Sequence, residues 1–375
     1  MKKGIFALTA VVALMAGLGW WLRPGGRAAP AALPVPEAAS ASAELGVARP
    51  GPAAPPLRAA AAGPQEPRGD SPPGNILARL LKQEEPPVPS LAQVAGYLRA
   101  KHRDAESLLG AFHATREPSL LREAKEAFPG DPRVQFVGAT QSETSEERRQ
   151  WIDALKQSEP ANALANYLSA AEYFNCGESA LALGEVEAGA GKPLQDFQLE
   201  FLQTDEEAYR GAGYSEADAR SLAAINQLLP DLGAYKNVGY TLVELANAYR
   251  EANDMASAQG ALGLALQLAR RINVPDSLTL AQTVTSLAIE QKALGAMDPA
   301  AGIGEGDRTA REELEAVTQQ REAVKALNQQ WATVAPGMSD QDLAAFFQRK
   351  SSFGELAGEQ WAVQRFAPPL SISRP

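Results

Sequence analysis

The sequence predicts an all-α protein of repeated helix pairs, held on an N-terminal membrane anchor by a disordered Pro/Ala-rich linker. Three observations lead to it. From residue 75 onward, apolar residues recur three and four positions apart, and Pro, Gly, Asn and Asp punctuate the runs. The stretch 160–193 reads as two antiparallel helices that leave apolar faces needing a neighbour. A hydrophobic share of 45% with only 6% aromatic residues over 375 positions suits closely packed, Ala-rich helices around a sizeable core.

The amino terminus is expected to be a membrane segment over 1–23. Lys2 and Lys3 precede an apolar run from Gly4 to Leu22, which as a helix would be roughly 28 Å long, close to the apolar thickness of a bilayer. Trp20 and Trp21 suit the interface, and Arg23 and Arg27 follow. The nearest small-x-small cleavage pattern, Ala29-Pro30-Ala31, lies well beyond the run. The expectation is an uncleaved anchor in the inner membrane, single-pass, with the remainder periplasmic; secretion after signal cleavage is the alternative.

Residues 24–74 are almost entirely Pro, Ala, Gly and isolated charges, without apolar periodicity. A disordered tether is expected there. In extended polyproline geometry it would reach roughly 150 Å, and as a flexible coil about 40 Å.

The helical-repeat domain is assigned to 75–295. A short helical pattern covers 75–83 and breaks at Glu84-Glu85-Pro86-Pro87; Ser90 then opens a run carrying Leu91, Val94 and Leu98. Helices follow over 104–116 and 119–128, the second stopped by Pro129-Gly130-Asp131-Pro132. Thr144-Ser145-Glu146-Glu147 is a capping-box pattern, in which hydroxyl and carboxylate satisfy free amides, ahead of Trp151, Ile152 and Leu155. In the central stretch Ala170 and Tyr173 share one face, Gly177 ends the first helix, and Ala182 sits where a second helix crosses closely. Residues 194–209 combine helical apolar positions with the acidic run Asp205-Glu206-Glu207, and Ser215 to Asp218 caps a helix through Leu229.

A second unit begins near Tyr240. Leu245, Ala246, Tyr249, Asn253, Asp254, Ala258, Leu262 and Ala265 repeat the central unit's order and spacing, with Asn253 in place of the turn glycine. Asn enters the left-handed conformation with less strain than most residues. The small, aromatic and small positions of the two units resemble the tetratricopeptide repeat, whose period is about 34 residues. That resemblance implies a solenoid whose first helices line a partner-binding groove, with Tyr167, Phe174, Asn247 and Arg250 on or near its inner face.

Another helix is expected over 276–294, then a flexible small-residue loop over 296–308. The C-terminal region, 309–375, opens with the cap Thr309 to Glu312 and a long helix whose Ala310, Leu314, Val317, Val324 and Trp331 approximate a seven-residue stripe. Arg321 and Asn328 interrupt it, which favours a helix covering the last apolar face of the array over a coiled-coil seam. A homo-oligomer through this helix is the alternative. Ser339 to Asp342 caps a further helix with Leu343, Phe346 and Phe347.

The chemistry legible in the chain points to binding. With 45 acidic and 35 basic residues the net charge is −10, which argues against nucleic acid as a partner. Cys176 is the single cysteine, which excludes an internal disulfide, and it reads as a small apolar filler at a helix end. His102 and His113 lie about three helical turns apart, too far to share a metal on one helix. No cofactor is expected. One enzymatic pattern stands out: Glu178-Ser179 with Gly189-Ala190-Gly191 downstream loosely resembles lytic transglycosylases, in which Glu178 would be the acid acting on peptidoglycan. The compressed spacing, Lys192-Pro193, and the location inside the repeat favour a plain first-turn carboxylate. The function expected is a non-catalytic scaffold or adaptor of the bacterial envelope, binding a protein or peptide.

Overall fold

The structure, a computed structural model, describes residues 76–81, 86–273, 277–304 and 308–367. The expected anchor and linker lie outside those residues. Among the described residues the fold is helical, with one isolated bridge between Gly302 and Thr309. None of the described helices is long and apolar enough to cross a membrane.

The first helices are α1 (Ile76–Leu81), α2 (Leu91–Ala100), α3 (Ala105–Thr115), α4 (Pro118–Ala127), α5 (Pro132–Gln141) and α6 (Ser145–Ser158). Their starts follow the caps in the sequence. Ser90 and Gln93 close a capping box on α2, Asp104 accepts from Ser107 N at 2.8 Å, and Thr144 accepts from Glu147 N at 3.2 Å. Helix α5 is new relative to the sequence reading, which stops at the proline–glycine turn. Pro132 at its first turn needs no partner for a missing N–H, and Asp131 accepts from Arg133 N at 2.9 Å.

The middle of the chain holds α7 (Leu164–Asn175), α8 (Ser179–Ala190), α9 (Gln198–Gly211), α10 (Glu216–Asn226), α11 (Pro230–Glu251), α12 (Met255–Ile272) and α13 (Leu280–Gly295). One turn recurs in it. The amide of Glu178 bonds the carbonyl of Tyr173 at 2.9 Å, that of Tyr214 bonds Tyr209 at 3.2 Å, and that of Asp254 bonds Tyr249 at 2.8 Å. Each closes around a left-handed residue: Gly177 at φ 79°, Gly213 at φ 96° and Asn253 at φ 62°. The α2–α3 turn has the same form, with Arg103 bonding Leu98 at 2.8 Å around His102 at φ 55°.

Three helix pairs stack: α7 lies on α11 and α11 on α13, while α8 lies on α12. The pair α9–α10 leaves this stack. Helix α9 packs on α3 and α2, and α10 against α15 (Asp340–Phe353). Glycines permit the approach: a Cβ on Gly211 would stand 2.5 Å from Tyr97 Cβ, and one on Gly110 2.7 Å from the Thr204 carbonyl. The molecule is a repeat-like helical bundle compatible with a solenoid, and both helices of the α9–α10 hairpin are legible in the sequence but their departure from the stack is not.

The C-terminal helices are α14 (Ala310–Val334), α15 and α16 (Glu355–Phe366), with a short 3-10 turn over Ala335–Gly337 that meets α1. Helix α14 buries Val317, Val324 and Trp331 against α13 and α16. Its polar interruptions meet polar partners: Arg321 donates to Gln291 Oε1 at 2.6 Å, and Asn328 to Glu359 Oε1 at 2.7 Å.

Several boundaries differ from expectation. Helix α11 starts at Pro230, so Tyr240 falls mid-helix, because Pro at the first turn is preorganised for helical φ. Helix α10 ends at Asn226 ahead of that proline, and α13 starts at Leu280 behind the Thr279 capping box. Leu91 faces solvent, and Cys176, expected as an apolar filler, is exposed at a helix end. In the described part of the expected loop, Ile303 is buried and its amide bonds the Arg308 carbonyl at 2.9 Å.

Candidate functional site

The first helices of the stack, α7, α11 and α13, lie side by side and form one face. Contact is close where side chains are small: a Cβ on Gly239 of α11 would stand 2.6 Å from Ile289 Cγ2 of α13. Beneath the face, the Tyr167 and Tyr235 rings meet edge to face at 5.9 Å. At its margin the Asn237 amide donates to Asn175 Oδ1 at 3.1 Å, tying α11 to α7.

With Tyr235 and Val238 buried inward, helical geometry turns Lys236, Tyr240, Glu244 and Asn247 outward in one stripe along α11. Lys292 of α13 reaches across to it, 4.1 Å from the Tyr240 ring centre and 3.3 Å from Glu244 Oε1. Lys236 Nζ lies 5.5 Å from the same ring. Partial burial, with Arg321 and Lys292 nearby, lowers the Lys236 ammonium below the usual lysine range. Burial likewise raises the Tyr240 phenol. Two lysine ammonium groups thus lie over one aromatic ring, with the Arg321 charge acting on both Lys236 and Tyr240, on a chain of net charge −10. Such a site offers N–H donors and a flat apolar surface, suited to carbonyls and carboxylates of a partner chain.

The residues singled out from the sequence occupy different places. Asn247 is exposed on the stripe. Arg250 is half-buried, donating to Asn247 Oδ1 at 3.2 Å and also to the Ala296 carbonyl at the end of α13. Phe174 is half-buried against the core. Tyr167 corrects the expectation of an inner-face residue: it is buried, and its hydroxyl accepts from Arg271 Nη1 at 3.0 Å. Asn247 and Arg250 touch each other, whereas Tyr167 and Phe174 belong to packing.

Sequence reasoning missed Lys236, Tyr240, Lys292 and Arg321. The i, i+4 pair Lys236 and Tyr240 was available as a signal, but Lys292 and Arg321 join it only through tertiary packing. Glu178 stands exposed at the α7–α8 turn, its amide held by the Tyr173 carbonyl. Among the described residues no group of three or more His, Cys, Asp or Glu is arranged to hold a metal.

In comparisons with protein-family models, curated proteins and solved structures, nothing matches this chain.

Proposed function

We propose that the chain is a membrane-tethered, non-catalytic interaction scaffold of the bacterial envelope, binding a protein or peptide on the face of α7, α11 and α13. In this reading the pairs α7/α8, α11/α12 and α13/α14 are tetratricopeptide-like units, and the N-terminal apolar run is the tether. The observation that carries the reading is the pair Lys236 and Lys292 over the half-buried ring of Tyr240, with the Arg321 charge nearby. Lys292 already meets Glu244 and Arg321 meets Gln291, and a partner's carbonyls or carboxylates would add acceptors to a patch whose burial and mutual repulsion lower the Lys236 ammonium.

The test is crosslinking capture from solubilised envelopes with the full-length chain, read by mass spectrometry. A defined protein retained by the wild type and lost with Tyr240→Ala/Lys292→Ala is the expected result. The Asn247→Ala/Arg250→Ala variant extends the footprint along α11, with its melting temperature measured because Arg250 also ties α11 to α13. Equal retention by wild type and Tyr240→Ala/Lys292→Ala would remove this face. Glycan fragments in place of a protein would turn attention to Glu178.

A further inference from the structure

The joint between the inserted hairpin and the stack contains an unusual set of polar groups. Asp231 opens α11 with the carboxylate 1% exposed and Oδ2 unpartnered. Gln198 opens α9, 4% exposed, with its side chain turned toward the Asp231 carboxyl, and one turn beyond Asp231 the buried Tyr235 hydroxyl is unpartnered. Gln227, in the link from α10 to α11, donates to the Gln198 carbonyl at 3.0 Å, and its own Oε1 is buried without a partner. Asp231 Oδ2, Tyr235 Oη and Gln227 Oε1 are therefore left without a hydrogen bond in one joint, beside the Gln198 amide. An unpartnered buried polar group costs roughly 1–3 kcal/mol, so this concentration calls for an occupant.

The charges facing Asp231 are known. Asp196, in the link ahead of α9, is the nearest carboxylate; it accepts from Gln198 N at 3.2 Å and from Gln282 Nε2 at 2.9 Å. Glu200 stands one turn farther along α9. The phenols of Tyr235 and Tyr167 approach from α11 and α7, and Arg271 of α12 is spent on the Tyr167 hydroxyl and the Gly189 carbonyl. Among the described residues no cationic side chain pairs with Asp231. Burial first, and Asp196 second, push its carboxyl up to about 7, against the opposing pull of the Gln198 side chain and of the backbone amides of Asp231 and Leu232 at the start of α11.

We propose that Gln198, Gln227, Asp231 and Tyr235 enclose ordered water, and that the proton on Asp231 holds the α9–α10 hairpin against the stack. Water both donates and accepts, which suits this mixture of amide, phenol and carboxyl groups. A protonated Asp231 adds a donor and removes its repulsion with Asp196. Ionisation leaves the buried Asp231 carboxylate beside the half-buried carboxylate of Asp196 with no counter-ion for either, and the joint loosens. Because the folded state holds the proton more tightly than the unfolded chain, the stabilisation is complete below about pH 3.8 and is lost progressively as pH rises from there to about 7.

The experiment is urea denaturation of the full-length chain across about pH 5 to 9, with hydrogen exchange read on α9 and α10. The expected wild-type curve falls in midpoint as pH rises toward about 7, and Asp231→Asn removes that part of the fall, ending above wild type at alkaline pH. Asp196→Asn should move the fall to lower pH by removing the neighbouring charge. After correction for intrinsic rates, α9–α10 amides should exchange faster in alkaline wild type than in Asp231→Asn. Parallel curves for wild type and Asp231→Asn would overturn the proposal. So would stabilisation of the wild type by calcium or magnesium that Asp231→Asn abolishes, since the occupant would then be a cation.

Discussion

His113 Nδ1 lies 2.9 Å from Asp205 Oδ1, a buried pair that joins α3 to the inserted helix α9. The Phe201 ring closes over the imidazole edge to face at 5.1 Å. Burial raises the Asp205 carboxyl, and His113 opposes that shift, so each group makes the other's burial tolerable. His113→Leu leaves a buried carboxylate alone and should destabilise by about 3 kcal/mol. Asp205→Asn keeps a hydrogen-bonding group and should lose less. Urea denaturation of both variants measures the order; the reverse order would show that the pair does not hold α9.

The approach of Gly239 to Ile289 sets the spacing of the candidate face. Gly239→Ala places a methyl against Ile289 and should destabilise by about 1–3 kcal/mol. Gly184→Ala is the control: the space around it is open, and its helical setting should make it neutral or slightly stabilising. Combining Gly239→Ala with Ile289→Ala should recover part of the loss expected from the two changes added together. Strict additivity in thermal melts would count against the contact.

Glu359 gives a second pH dependence, at the C-terminal end. Its carboxylate is buried beneath α14, accepts from Asn328, and keeps Oε2 unpartnered. Burial, then the nearby Glu355, pushes it up to about 8, with Asn328 and Lys350 opposing. The folded state thus binds this proton more tightly than the unfolded chain, and stability drains away as pH rises from about 4.5 to about 8. Glu359→Gln should show a shallower fall over that window and a higher urea midpoint at alkaline pH. An unchanged slope would show that Glu359 is ionised and paired throughout.

The helix pairs were legible where local chemistry decides them. Gly177 and Asn253 both adopt the left-handed turn that the repeated pattern required. Ser90, Thr144, Ser215, Thr309 and Ser339 each precede a helix, because a hydroxyl beside free amides acts within three residues. Boundaries at prolines were harder to read. Pro132 and Pro230 look like stops, yet each occupies the first turn of a helix, where its missing N–H is not needed.

By itself the sequence determined the helical class, the caps and the two left-handed turns. Those depend on groups a few positions apart. Only the tertiary structure decided that α9 returns to α3, that Tyr167 is buried under Arg271, and that Lys292 and Arg321 join Lys236 around Tyr240. These relations span tens of residues, and they arise because an apolar face takes whichever partner fits, with dispersion and burial carrying no record of chain order.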